Sequence, residues 1–151
     1  MRRFIENLIV FLFLSIIGGF TGYGIACMID DGDADNIRAL AYNCYFEARN
    51  SSIEDQIATA VVVMNRGIPA EEVYKTGQFS WTAEYAEPAK NVALDKCYAI
   101  ARMVYNNHNL FKSKDICKHY TAVDSKYGAN HWTKTFKRKT QIGKHFYYCN
   151  N

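Results

Sequence analysis

Twenty-two residues without a formal charge, Leu8 to Ile29, constrain this chain more than any other feature. As a helix, that length crosses the hydrocarbon core of a bilayer. Arg2 and Arg3 precede it, and Asp30, Asp31, Asp33 and Asp35 follow. This asymmetry predicts a cytoplasmic N-terminus and an exported remainder. The run is uneven. Leu8 to Ile17 is strongly apolar, whereas Gly18, Gly19, Thr21, Gly22, Tyr23 and Gly24 dilute the second half. Glycine adds little transfer energy, so retention in the membrane is weak there. Three fates compete: cleavage after Ala26, with Gly24 and Ala26 as the small residues of a signal site; a permanent transmembrane anchor; and a signal-anchor that later leaves the bilayer. The glycine-rich half fits the last best. A lipoprotein site at Cys27 fits poorly, because Gly24 stands where a leucine is usual. The chain therefore divides into a membrane segment, 1–30, and a domain, 35–151, long enough for one real core.

Export bears on the five cysteines, Cys27, Cys44, Cys97, Cys117 and Cys149. They lack metal-ligand spacing, so no metal site is expected, and in an oxidising compartment they read as disulfide partners. Their connectivity stays open. Cys27 ends the membrane segment and leaves four in the domain. Once out of the bilayer it could exchange with a domain disulfide, with Cys44 as the interesting target. The plainer reading makes Cys27 a small residue of a membrane helix and Cys44 a core residue. Charge is uneven as well. From Lys112 to Lys144 there are nine Lys or Arg against Asp115 and Asp124. Such a third suits a polyanion such as a cell-wall polymer, nucleic acid or anionic lipid, or is simply a solvated face. No phosphate loop, paired CxxC or RNA-binding signature is present, so neither an organic cofactor nor a nucleic-acid partner is expected.

Apolar spacing predicts helices in the first two thirds of the domain. Asp33 or Asp35 caps the first, whose stripe is Ile37, Leu40, Ala41, Cys44 and Ala48, ending near Asn50. Ser51 or Ser52 caps the second, with Glu54 and Asp55 in its first turn and Ile57, Ala60, Val61 and Met64 inward. Gly67 and Pro69 stop it, and a loop runs through "TGQFSWT". Pro88 opens the third, with Ala93, Cys97, Ile100, Ala101 and Val104 inward and "YNNHN" at its end. Beyond Leu110 the pattern is mixed, and "HFYYC" predicts a short strand. The fold class is α+β and helix-rich.

Within "YNCYFEARNSS", Glu47 borders the apolar stripe beside Tyr45 and Phe46. A carboxyl there loses hydration when charged and so holds a proton towards neutral pH. Glycosidic cleavage needs such an acid to protonate the departing oxygen. Most glycosidases add a second carboxylate. The other acids, Glu54, Asp55, Glu71, Glu72, Glu84 and Glu87, occupy capping or surface-like settings. A lone acid fits a lytic transglycosylase, in which the sugar's own hydroxyl attacks. The alternative makes Glu47 a surface charge near Arg49.

These motifs together resemble the spore-cortex-lytic (SleB-like) cell-wall hydrolases. The opening block matches through Tyr45, Glu47, Ala48, Arg49, Gln56, Ala58, Ala60, Asn65 and Arg66. The second matches through Gln78, Phe79, Ser80 and Trp81, and the last through Trp132, Ile142, Gly143 and His145. Phe46 replaces the family's usual glycine, the spacer before Gln78 is short, and Thr121 stands where a second histidine is common. The resemblance implies a lysozyme-like fold and peptidoglycan as partner, with Glu47 as general acid. It implies cleavage between N-acetylmuramic acid and N-acetylglucosamine without a cofactor. Gln78, Ser80, Trp81, Tyr120 and Trp132 are then candidate substrate contacts, with Phe79 as packing and His145 as a structural hydrogen-bond donor. The membrane segment resembles that of releasable phage endolysins. Together these suggest a monomeric lysis enzyme, tethered to the inner membrane and then periplasmic. A water-using muramidase and a membrane-anchored, non-catalytic wall-binding protein are the alternatives.

Overall fold

The computed structural model describes residues 31–84, 86–122 and 135–149. The expected membrane segment, Cys27 and Trp132 lie outside these. Among the described residues no helix is long and apolar enough to cross a membrane.

The first helix, α1 (Asp31–Asn43), does not run on to Asn50 as expected. It widens into a π-helical turn, Cys44–Ala48. In this turn Cys44, Tyr45 and Ala48 are buried, and Phe46 and Glu47 are half-buried at the rim. Single π turns of this kind recur at functional sites. Ser52 then caps α2 (Ile53–Arg66), its hydroxyl accepting from the Asp55 amide at 3.3 Å. Every residue from Asp55 to Val63 is buried, so α2 is enclosed all round instead of showing one inner face. It touches α1, the π turn and all the later layers described below. Ala58 and Ala60 keep its surface slim enough for neighbours to approach.

Gly67 ends α2, and Pro69 starts a short helix, α3 (Pro69–Tyr74), where the sequence suggested only a loop. A proline is tolerated at that first position because its missing N–H has no helical partner there. A 3-10 turn, Ser80–Glu84, follows. The long helix α4 (Val92–Asn106) begins four residues beyond Pro88, which is therefore not in its first turn. Asn91 is the cap, its side chain accepting from the Leu94 amide at 3.1 Å. Leu94, Cys97, Ile100, Ala101 and Val104 are buried against α1 and α2, close to the expected stripe. A single turn, α5 (His108–Phe111), leads to the sheet.

That sheet has three antiparallel strands in the order β1-β3-β2: β1 (His119–Thr121), β2 (Lys137–Ile142) and β3 (His145–Cys149). Tyr120 pairs with Tyr147, and Ile142 with His145. The "HFYYC" strand is thus present, but its central place buries Tyr147, Tyr148 and Cys149 in succession. Gly143, at φ +56°, lies in the two-residue link between β2 and β3. The helix-rich α+β class follows from these elements. Cys117 and Cys149 form a disulfide that ties the entry to β1 to the end of β3. Cys44 and Cys97 are free, buried and in hydrogen-bond contact. That contact, then burial, pushes the Cys44 thiol upward.

Candidate active site

The end of the π turn is held from below. Gln56 on α2 donates from Nε2 to the carbonyls of Ala48 at 3.0 Å and Arg49 at 3.2 Å. The Tyr45 hydroxyl accepts from Asn91 at 3.2 Å, which ties the turn to the start of α4. Glu47 is thereby fixed on the wall of a cleft of about 470 Å³. Gly77, Gln78, Phe79 and Ser80 form another part of the wall, and His119, Tyr120 and Thr121 of β1 a third. Arg66, the last residue of α2, also lines it.

Glu47 behaves as a buried acid should. Burial raises its pKa above the ordinary carboxylate range, and the nearby His145 pulls back only in part. Arg49 does not neutralise it. That guanidinium donates to the Tyr45 carbonyl and lies 4.7 Å from the Tyr45 ring centre. Glu47 is therefore not the arginine-paired surface charge of the alternative reading.

Behind β1 lies a polar knot that the sequence did not disclose. Asp55, expected as a capping acid, has no exposed surface. Its carboxylate accepts from His145 Nδ1 at 2.9 Å, from the Tyr147 hydroxyl at 2.8 Å and from the Lys144 amide at 3.1 Å. A carboxylate only accepts, so Nδ1 of His145 carries the proton. Burial pushes Asp55 up, but the bonds from His145 and Tyr147 outweigh it and leave the carboxyl below its usual range. His145 in turn meets Tyr120 edge-on, 5.0 Å between ring centres, and the Tyr120 hydroxyl accepts from Asn43 at 3.3 Å. Tyr120, raised by burial and by the Glu47 charge, is thus set into the cleft wall from behind. The expected donor role of His145 is what the geometry shows.

The candidate contacts separate. Gln78, Ser80 and Tyr120 share the cleft with Glu47. Trp81 does not line it. The ring is 8% exposed and stacks on Phe46 at 4.7 Å, with Tyr74 and Phe79 around it. It packs the 3-10 turn against the π turn, and this is the correction to its place among the sugar contacts. Phe79, expected as packing, is buried and yet presents part of its ring to the cleft. Cys44 lies in the core one turn from Glu47, facing Cys97. Among the cleft residues given no role from sequence are two with ionisable side chains, Arg66 and His119. Arg66 stood at the end of the opening block that carries the resemblance, so its signal was there. Comparison of the chain with family models, curated proteins and solved structures finds no match.

Proposed function

We propose that the chain is an exported, initially membrane-tethered enzyme that cleaves peptidoglycan glycan strands on a lysozyme-like frame, with host-cell lysis as its setting. The observation that carries this reading is Glu47, a half-buried carboxyl on the wall of a cleft, its pKa raised by burial. No second carboxylate is among the described residues of that wall. This favours a lytic transglycosylase over a two-carboxylate hydrolase. The Glu47 proton passes to the bridging oxygen as the bond from C1 of N-acetylmuramic acid breaks. The C6 hydroxyl of the same sugar closes onto C1, and its proton returns to the Glu47 carboxylate. No water is consumed, and the acid is regenerated. Gln78, Ser80 and Tyr120 are placed to hold the sugars.

Digestion of purified sacculi, followed by mass spectrometry of the products, tests the proposal. Anhydro-muramic ends, absent with Glu47→Gln, are expected. Reducing ends would make the enzyme a water-using muramidase. Undiminished clearing by Glu47→Gln would refute the role of Glu47 and favour a non-catalytic wall-binding protein.

A further inference from the structure

We propose that Arg66 reads negative charge on the glycan strand, its guanidinium receiving a substrate carboxylate in the cleft that holds Glu47. This deepens the glycan-cleaving reading and rests on it.

The guanidinium is fixed before any ligand arrives. Nε donates to the Lys118 carbonyl at 2.6 Å, and Nη1 donates to Gln78 Oε1 at 2.9 Å. Its central carbon lies 5.5 Å from the Phe79 ring centre. These contacts orient the planar group and occupy two of its five N–H donors. The other three have no acceptor among the described residues. No described carboxylate lies within ion-pair distance of Arg66 either. Burial lowers its pKa, as expected for a cation losing water. Glu72 is the one described acid whose charge favours the cation, and it stays beyond ion-pair distance. A half-buried cation so weakly countered is costly to keep, and anchoring the two loops would not require a charge.

The cation is not there to serve Glu47. What offsets the burial of Glu47 is His145. A guanidinium close to that acid would lower its pKa and weaken it as a proton donor. The cleft therefore carries its acid and its unpaired cation as separate features. A rigid, forked cation is suited to a planar carboxylate, which it can bind through two parallel hydrogen bonds. In a peptidoglycan strand such carboxylates come from the stem peptide, or from the lactyl group once the peptide has been removed. Chitin oligosaccharides share the sugar backbone and carry none.

The test uses the full-length Glu47→Gln chain in non-ionic detergent, so that nothing is turned over. Calorimetry measures binding of three ligands of matched length: stem-bearing glycan, amidase-stripped glycan and a chitin oligosaccharide. A charged glycan is expected to bind about tenfold more tightly than chitin, the low end for a charge-assisted pair. Adding Arg66→Gln should erase that margin while changing chitin affinity less than twofold, and Arg66→Lys should restore part of it. A margin confined to stem-bearing or to stripped glycan supports the proposal and identifies the carboxylate. Equal weakening of all three ligands by Arg66→Gln, or weakening of none, overturns it and leaves the glycan-cleaving reading intact. Failure of the Glu47→Gln chain to bind any of the three overturns both.

Discussion

Replacing Gly143 by alanine should cost far more than a single methyl group suggests. At φ +56° an alanine pays the left-handed penalty, about 1 kcal/mol. The added Cβ would also stand 2.6 Å from Asp55 Oδ2 and 2.8 Å from Asp55 Cγ. Real carbons do not approach so closely, and Asp55 has no free space into which to retreat. Moving it breaks at least one hydrogen bond to a buried carboxylate, worth about 2 kcal/mol. The sum is about 3 kcal/mol. Gly77 supplies the control: its φ is +78°, and nothing lies within 4 Å of a Cβ built there. Gly77→Ala should therefore cost only the backbone term, about 1 kcal/mol. Thermal unfolding reads both, at about 4 °C per kcal/mol for a domain of this size. A fall of about 12 °C for Gly143→Ala against about 4 °C for Gly77→Ala is expected. Equal falls would refute the close approach of the hairpin to Asp55.

Three further outcomes follow from the same structure. The folded pKa of Glu47 lies above its unfolded value, so between the two the folded chain holds the extra proton. Stability should then fall as pH rises from the ordinary carboxylate range through the raised value, and Glu47→Gln should flatten that slope in urea titrations. Wall-clearing rate should decline over the same rise, as the acid loses its proton; a rate that climbs there would contradict the assignment. Reduction of Cys117–Cys149, which spans a separation of 32 residues, should cost about 3–4 kcal/mol. A melting temperature unchanged by reductant would show that the link contributes nothing.

What could be read in advance was local. The stripe of α4 and the Ser52 cap are set by residues within one or two turns of each other, and they appeared nearly as expected. The π turn escaped because Cys44, Tyr45 and Ala48 suit the inner face of an ordinary helix equally well. Asp55 looked like any first-turn acid, because its partner His145 lies 90 residues further along. Trp81 looked like a sugar platform, and it is Phe46 and its other ring neighbours that claim its faces. Glu47 was legible as a half-buried carboxyl because it borders the apolar stripe of its own segment. Arg66 was visible only as part of a motif, since what gives it meaning is the lack of an acid within ion-pair distance, Glu72 acting on it only from further off.

The central helix α2 governs the mouth of the cleft. Gln56 near its beginning grips the segment bearing Glu47, Asp55 beside it grips the β2–β3 hairpin, and Asn65 at its far end donates to the Ile116 and Cys117 carbonyls at 2.9 and 3.1 Å. Both jaws are thus bolted to a single axle. An outward swing of either jaw must break one of these hydrogen bonds, so the width of the slot is set by a single helix.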